Sequence, residues 1–469
     1  MDFEPPPPSA ARPGAMPGPA PPSGEGITHE DLDRAHDRFK VFLARRGGGR
    51  WSHLRLLWLL IGPGILVMLG ENDAPSMLSY AATGAQFGIG FFLPFVILTF
   101  ATAVVVQEMT VRLGAATHRG HAELIFDRFG PFWGWFAMVD LIIGNFLTLI
   151  TEFIGIRAGL GFFGIPAAWA VLGALAVIWF LITTHRYWTW ERLTLGLALC
   201  NLIFVPLALM SHPAWHEIGR SLLTWQPLPR GNSQLLLILL ADIGATVTPW
   251  MLFFQQSAIV DKGLTPRDIE AGRWDTRLGA ALAALAALGM IVVTAPLYRH
   301  GISAAHFQAA EFAQALVPYL GSAGAALFAL GIFEAGLVAC VTISASSAYA
   351  FGEVTRQPHS LNRPFREGWR FYAVLGVGAA VAAGVVLAPG LPLEYIILIV
   401  NVIAVLAMPP ALLFLYLLVN DRELMGEHVN PRWANKLAAL VVVALVAAGL
   451  LYGLSVVAPG WLARMGGLL

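Results

Sequence analysis

Two carboxylates interrupt the first long apolar segment of the chain, in the sequence Glu71-Asn-Asp-Ala-Pro-Ser76. Pro75 has no amide hydrogen to donate to a helix, and its ring disfavours helical geometry at Ala74. A carboxylate beside a helix break at membrane depth is energetically costly, so by default it marks a functional site. We therefore predict that Asp73 binds a substrate, and we leave open whether Glu71 faces the same cavity or a neighbouring helix.

A second interruption lies in the sixth apolar segment, in the sequence Gly244-Ala-Thr-Val-Thr-Pro-Trp250. Pro249 cannot supply an amide, which leaves a carbonyl near Ala245 free, and Thr248 adds a hydroxyl. Carbonyl and hydroxyl oxygens are suitable ligands for hard cations. Trp250 either lines the site or packs against other helices. Paired breaks in corresponding segments indicate a midplane binding site between two inverted repeats.

Other polar residues at membrane depth fall into two groups. The first group consists of candidates for lining the same cavity. Its members are Asp242, Gln255, Glu334 and Asn401. An asparagine in a membrane helix often serves only to hydrogen-bond to a neighbouring helix. The second group forms either a structural polar network or a proton route, two alternatives that the sequence leaves open. Its members are Asp140, Glu152 and Arg157.

The composition indicates an integral membrane protein rather than a soluble one. Hydrophobic residues make up 57% of the chain, and charged residues make up 12%, against roughly 25% in soluble domains.

Cys200 and Cys340 both lie in apolar runs, so we interpret them as small buried hydrophobic residues rather than a disulfide or zinc site. No nucleophile–base set or nucleotide-binding loop indicates an enzyme. We predict no cofactor and no nucleic-acid partner.

About eleven apolar segments have membrane-spanning length, roughly 20 residues each. We place them at about 55–81, 91–111, 132–162, 167–184, 193–211, 234–260, 277–297, 318–351, 370–389, 392–418 and 435–458. Segments one to five would form the first repeat, about 55–211, and segments six to ten the second, about 234–418. The segment at about 435–458 would be an extra helix. The tail, residues 1–50, is Pro-rich, and we predict that it is disordered.

Basic residues are concentrated in alternate loops, for example between Lys262 and Arg277 after the sixth segment. The loops on the other side, such as 84–90 and 161–166, contain none. Under the positive-inside rule this pattern predicts a cytoplasmic N-terminus and an odd number of spans. We expect a multi-pass protein of a bacterial-type inner membrane, in contact with the lipid bilayer; a monomer is plausible.

The motifs of this chain resemble those of the Nramp (natural resistance-associated macrophage protein) divalent-metal transporters, from about Gly62 to Arg432. The resemblance rests on the first break, the second break and the loop after the tenth segment. The matching sequences are Gly62-Pro-Gly64 followed by Asp73-Ala-Pro-Ser76, then Gly244-Ala-Thr-Val247, and Asp421-Arg-Glu-Leu-Met-Gly426.

The resemblance implies an all-α LeuT-type fold, with inverted five-helix repeats, broken helices 1 and 6, and alternating access. It places the metal between the two breaks. The ligand roles that it implies fall on Asp73, Ser76, the carbonyl of Ala245 and Thr248, with Asn401 nearby. Glu71 is a further candidate ligand because it belongs to the same break.

Several family ligands are replaced in this chain. Thr248 stands where the family has a sulfur ligand, Ser76 where it has an asparagine, and Trp250 and Gln255 where it has histidines. Carboxylate, hydroxyl and carbonyl oxygens suit Mg²⁺, Ca²⁺ or Mn²⁺ better than softer ions.

The chain therefore resembles the magnesium-transporting branch related to Nramp, and we predict transport of Mg²⁺ first and Mn²⁺ second. The missing histidines leave proton coupling open. The alternative hypothesis is a small organic solute that stacks on Trp250. A sensor that has lost transport is a third hypothesis.

Overall fold

A computed structural model describes residues 62–184, 186–229, 235–302, 304, 307–390 and 393–457. Within the helices, the side chains at 236–237, 393–399, 401–406, 452 and 455–457 lie outside the described part. The predicted disordered tail, residues 1–50, and the start of the first segment also lie outside it. The described residues form helices and connecting loops, without a strand. The all-α class is therefore confirmed.

Seventeen α-helices follow one another along the described residues. They are α1 Pro63–Glu71, α2 Ala74–Phe87, α3 Phe92–Thr117, α4 His121–Phe129, α5 Pro131–Gly161, α6 Ala167–Ile182, α7 Tyr187–Ala198, α8 Phe204–Met210, α9 Trp215–Thr224, α10 Leu235–Gly244, α11 Pro249–Lys262, α12 Ile269–Arg299, α13 Ala309–Thr355, α14 Trp369–Leu387, α15 Leu393–Val419, α16 Arg422–Met425 and α17 Arg432–Val457. A 3₁₀ turn, Leu199–Ile203, joins α7 to α8, so these three pieces form one span.

Among the residues that the structure describes, eight spans are long and apolar enough to cross a membrane, and shorter apolar helices such as Ala167–Ile182 accompany them. Within the described residues, each of the predicted segments corresponds to one helix or to the successive pieces of one interrupted span. The short helices α4 and α9 lie between spans, and the sequence analysis did not anticipate them. Helix α13 begins earlier than the predicted 318 and is interrupted at Gly321, whose φ of 69° favours glycine.

The first predicted break lies between α1 and α2. Helix α1 ends at Glu71, with Asn72 as its C-cap residue, and α2 begins at Ala74, with Asp73 as its N-cap residue. The Asp73 carboxylate accepts a hydrogen bond from the Ser76 amide at 2.8 Å. Pro75 occupies the first turn of α2, where a missing amide hydrogen has little cost. The N-cap carboxylate and the proline therefore explain why a new helix starts here.

The second predicted break lies between α10 and α11, over residues 245–248. Thr248 has an extended backbone, with φ −126° and ψ 159°, and Pro249 opens α11. The Thr248 side chain does not cap α11. Its hydroxyl is therefore available for a contact elsewhere.

Around these breaks, α13 packs along α5, and α12 packs along both α1 and α2. A small residue on α5 allows the closest approach: a Cβ atom at Gly155 would lie 2.4 Å from the Cβ of Ala74. Helix α5 is therefore pressed directly against the first break, which brings its polar residues next to Asp73.

Candidate cation site

The two breaks are joined by one hydrogen bond. The Thr248 hydroxyl donates to Oε2 of Glu71 at 2.7 Å. Glu71 is fully buried, and its other oxygen, Oε1, has no hydrogen-bond partner among the described residues. Glu71 therefore faces the second break, one of the two orientations that the sequence left open.

Asp73 lies beside this contact and lines a cavity of about 100 Å³. Ser76, Ala245 and Thr248 line the same cavity. Together with Glu71, which accepts the hydrogen bond from Thr248, these residues make five of the six predicted metal ligands, contributed by both broken helices. Asp73 itself is only 4% exposed, so a cation bound there would be largely withdrawn from bulk solvent.

The carbonyl oxygen of Ala245 already has one partner. The buried hydroxyl of Tyr80 on α2 donates to it at 3.1 Å. A carbonyl oxygen has two lone pairs, so this bond leaves one lone pair for a cation. The Tyr80 contact also holds the second break against α2, which limits how the two breaks can move relative to each other.

The sixth predicted ligand, Asn401, lies in α15, but its side chain is outside the described part of the structure. Its neighbour Val400 lines the cavity. The role of Asn401 stays a prediction.

Four further residues with polar or sulfur-containing side chains line the cavity, and the sequence analysis missed them. Ser79 lies on α2, Thr148 and Thr151 lie one turn apart on α5, and Met408 lies on α15. The i, i+3 spacing of the two threonines is a pattern that sequence reasoning could have used. Nothing in the sequence near Met408 indicates that it faces the breaks, because α15 is brought there only by the tertiary fold.

Asp242 does not line the cavity and serves instead to join the two broken helices. Its carboxylate accepts hydrogen bonds from Ser79 at 2.9 Å and from Thr83 at 2.8 Å, both on α2. Both carboxylate oxygens are therefore used in a fully buried contact between α10 and α2. This arrangement couples α2 to α10 and leaves Asp242 little capacity to bind a cation.

Two other predicted lining residues also lie outside the cavity. Trp250 is 2% exposed, and its ring packs against Gly70 at the end of α1. Gln255 is fully buried; it accepts a hydrogen bond from Thr110 at 2.9 Å and donates to Thr276 at 2.8 Å. Both side chains support the helices around the breaks in this conformation.

Glu334 is the fourth predicted lining residue that lies outside the cavity. It lies on α13 and is 8% exposed.

The three residues of the predicted polar network do not form one network. Glu152 is fully buried, and its Oε2 accepts a hydrogen bond from the Ala74 amide at 3.1 Å. Arg157 donates instead to the carbonyl of Val386 at 3.3 Å. Asp140 lies twelve residues before Glu152 on α5, about 18 Å along the helix axis. Only Glu152 therefore reaches the first break.

The electrostatic environment of the first break is negative. The carboxyl groups of Glu71, Asp73 and Glu152 lie close enough to repel one another. Among the described residues, none of the three forms an ion pair with a lysine or arginine. Neighbouring buried carboxylates without a counter-charge favour a bound cation or proton.

This geometry is that of a multi-span membrane protein in which two interrupted helices meet at a cavity lined by carboxylate, hydroxyl and carbonyl groups. The comparisons with known proteins agree. The family model described as natural resistance-associated macrophage protein-like, or Nramp, matches residues 64–455. The chain belongs to the Nramp family, which consists of divalent metal cation transporters rather than enzymes.

One relative, from a Nostoc species, is named divalent metal cation transporter MntH. It is 27% identical over 410 residues, which cover 84% of this chain and 90% of the relative. A manganese transporter from Eremococcus coleocola has a solved structure that superposes with a TM-score of 0.72 at 21% identity, covering 89% of this chain and 90% of that one.

A Na⁺-coupled sialic acid symporter superposes with a TM-score of 0.53 at 14% identity, covering 91% of this chain and 96% of that one. These two structures show the fold alone. The predicted family resemblance and LeuT-type fold are confirmed.

Proposed function

We propose that this chain carries a hard divalent cation, Mg²⁺ first and Mn²⁺ second, across a bacterial-type inner membrane by alternating access. The observation that carries the proposal is the hydrogen bond between Thr248 and Glu71, next to Asp73. It brings oxygen ligands from both breaks to one point. The ion would bind between them, with Asp73 as its main carboxylate ligand.

The ligand chemistry supports a hard ion. The side chains at the two breaks offer carboxylate and hydroxyl oxygens, and Ala245 offers a carbonyl; such oxygens suit Mg²⁺ and Mn²⁺. Mg²⁺ keeps several of its waters when it binds. The cavity of about 100 Å³ is large enough to hold water beside the ion, since one water needs only about 10–15 Å³ on this measure.

The cavity and its surroundings support an outward-facing conformation. Under the predicted topology, α2 and α10 form the outer halves of the broken helices, and both line the cavity. The inner half-helix α1 is buried along its whole length. Alternating access would then require α1 to move away from its neighbours on the cytoplasmic side. The N-terminus would lie in the cytoplasm.

Among the contacts of the described residues, none favours the alternative of an organic solute. The stacking surface proposed for such a solute, Trp250, is buried against Gly70 and does not line the cavity.

Isothermal titration of the purified protein with Mg²⁺, Mn²⁺ and Ca²⁺ tests the proposal. We expect saturable Mg²⁺ and Mn²⁺ binding that is lost in Asp73→Ala and retained in Asp140→Asn, which changes a membrane acid on α5 away from the site. Flux of the same ions into proteoliposomes should likewise be lost in Asp73→Ala and retained in Asp140→Asn. Absence of divalent binding to the parent protein, or equal binding to Asp73→Ala, would overturn the proposal.

A further inference from the structure

One side of the short helix α9 carries large apolar side chains that are exposed in the described structure. Trp215, Leu222 and Leu223 are 63%, 45% and 88% exposed. Successive residues of an α-helix are turned by about 100°, so these three side chains fall within a sector of about 100°. An exposed apolar patch of this kind marks a surface that contacts a membrane or a partner.

The other two sides of α9 differ from this apolar side. His216, Arg220 and Thr224 form a polar side that is also exposed. The third side faces the protein, where Ser221 is fully buried. A helix on a water-exposed surface has one apolar side, which faces its own protein. A helix with separate apolar and polar outer sides is instead typical of the membrane surface, where it lies in the plane of the interface.

Two contacts place α9 at the level where the spans end. The Ser221 hydroxyl donates to the carbonyl oxygens of Ile89 and Gly90 at 3.0 and 2.7 Å. These two residues lie in the turn before α3, a helix long and apolar enough to cross the membrane. Glu217 forms an ion pair with Arg299, the last residue of the spanning helix α12. Both spans therefore reach the membrane surface beside α9.

Tryptophans at both ends of α9 indicate the same level. Trp215 is the first residue of the helix, and Trp225 follows its last residue. Trp225 has a φ of 40°, in the left-handed region that a bulky residue seldom adopts. Its ring lies 5.8 Å from the ring of Phe91, next to the start of α3, and remains 44% exposed. Tryptophan is enriched at membrane–water interfaces, because its ring is apolar and its N–H group is polar.

We propose that α9 is a membrane-surface helix. Its apolar side enters the boundary between the headgroups and the acyl chains of the bilayer, and its polar side faces water. Under the predicted topology this is the outer leaflet. The occupant is lipid because α9 packs against the spanning helix α3. About two turns beyond Gly90, the α3 side chains Ile97 and Leu98 are 43% and 50% exposed on the outside of the bundle. The proposal does not depend on which ion the protein carries.

A membrane-bound α9 would hold the outer end of the first broken helix. The turn that Ser221 binds follows directly after α2, and Asp73 is the N-cap residue at the other end of α2. The turn also packs tightly against α9, because a Cβ atom at Gly90 would lie 2.3 Å from Oε1 of Gln226. Helix α9 would therefore fix the helix that Asp73 caps relative to the surface of the bilayer.

The test is the position of a spin label in the full-length protein, reconstituted in vesicles of phosphatidylcholine and phosphatidylglycerol. The label is attached to Leu223→Cys in a Cys200→Ser background, because the other cysteine, Cys340, is fully buried. We expect collisions with oxygen, which dissolves in the bilayer, to exceed collisions with a water-soluble nickel chelate. The matched control is a label at Thr224→Cys, on the polar side. Its ratio of oxygen to nickel collisions should be lower by at least about threefold.

Two results would overturn the proposal. A label at residue 223 that collides with the nickel chelate as often as the label at residue 224 would place the apolar side in water. A label at residue 223 that is shielded from both reagents would show that protein, such as a second copy of this chain, covers the apolar side. Because Leu223 is 88% exposed, its replacement removes few contacts and leaves the fold intact.

Hydrogen–deuterium exchange in the same vesicles tests the effect on α2. Leu223→Asp places a charge on the apolar side, where entry into the bilayer becomes costly, and should accelerate exchange of the backbone amides at residues 88–91. Thr224→Asp introduces the same charge on the polar side and should leave this exchange at the parental rate. Equal exchange in the two variants would overturn the role of α9 in holding the turn after α2.

Discussion

The carboxylate of Asp275, at the start of α12, holds the N-terminal end of α1. Its Oδ2 accepts a hydrogen bond from the Gly64 amide at 2.6 Å, and its Oδ1 accepts one from the Gly62 amide at 2.9 Å. These amides belong to the group at a helix start that has no partner within the helix. Asp275 therefore fastens the inner half of the first broken helix to α12.

We predict that Asp275→Asn loosens the inner end of α1. The amide cannot accept two hydrogen bonds through separate oxygens, and it lacks the negative charge that favours a helix N-terminus. Loss of charge-assisted hydrogen bonds worth about 1.5–3 kcal/mol each would raise the population of conformations with α1 displaced. Hydrogen–deuterium exchange of the Gly64 and Ile65 amides should accelerate.

The matched control is Glu217→Gln, which removes the carboxylate from an exposed ion pair with Arg299. This variant should leave exchange in α1 unchanged. If the Gly64 and Ile65 amides exchange at the parental rate in Asp275→Asn, the capping contact does not hold α1 closed.

A buried ion pair lies against the same end of α1. Lys262 Nζ is 3.1 Å from Oε1 of Glu191, and the two side chains are 1% and 0% exposed. The Tyr187 hydroxyl also donates to Glu191 at 3.1 Å. A side chain at Gly62 would collide with both members of the pair. The start of α1 therefore covers the ion pair and keeps water away from it.

We predict that Lys262→Met destabilises the protein by about 3–5 kcal/mol, because it leaves the Glu191 charge buried without its counter-ion. The double variant Lys262→Met/Glu191→Leu should recover much of this loss, since apolar side chains of similar volume can replace a buried ion pair at little cost. Denaturant unfolding in detergent micelles measures the stability of both variants.

As a control, Arg299→Ala breaks an exposed ion pair and should cost only about 0–1 kcal/mol. A Lys262→Met variant as stable as the parent would contradict the prediction.

Thr248 is the position where ion selectivity can be changed most directly, because its hydroxyl joins the two breaks through Glu71. We predict that Thr248→Met shifts selectivity from Mg²⁺ towards Mn²⁺, with the affinity ratio changing by about tenfold or more, because a thioether favours softer ions. Competition titrations with the two ions measure the ratio. Thr248→Val, which removes only the hydroxyl, should weaken both ions without changing their ratio. An unchanged ratio in Thr248→Met would show that residue 248 does not contact the ion.

The helix breaks could be predicted from the sequence because their causes are local. Pro75 and Pro249 each open a new helix, and Asp73 caps the first of them. The orientation of a side chain around a helix depends on its neighbours in space, and this is where the sequence was insufficient. Glu71 and Gln255 both belong to the predicted site, yet one bridges the two breaks and the other bonds Thr110 and Thr276.

The residues from other spans were the least predictable part of the site. Thr148 and Thr151 reach the cavity because Gly155 allows α5 to approach Ala74, a contact between residues about eighty positions apart. Arg157 could have paired with Glu152 by charge, but the fold directs it to the Val386 carbonyl instead. Charge complementarity in the sequence therefore did not identify the actual partners.

Met408 provides a direct test of whether the cation has only oxygen ligands. It lies on α15 and is the only sulfur-containing residue among the described residues that line the cavity. A thioether there could restore the sulfur ligand that Thr248 lacks. Because our proposal places the ion among oxygens from the two breaks, it assigns no ligand role to Met408.

We therefore predict that Met408→Leu, a swap that conserves side-chain volume, leaves the Mg²⁺ and Mn²⁺ affinities within about twofold of the parent and costs less than about 1.5 kcal/mol of stability. Titration with both ions, together with thermal unfolding, measures the effect. A tenfold loss of Mn²⁺ affinity with unchanged Mg²⁺ affinity would instead identify Met408 as a ligand. In that case, the sulfur of the metal site would have moved from the sixth span to the tenth, and Mn²⁺ would replace Mg²⁺ as the first candidate substrate.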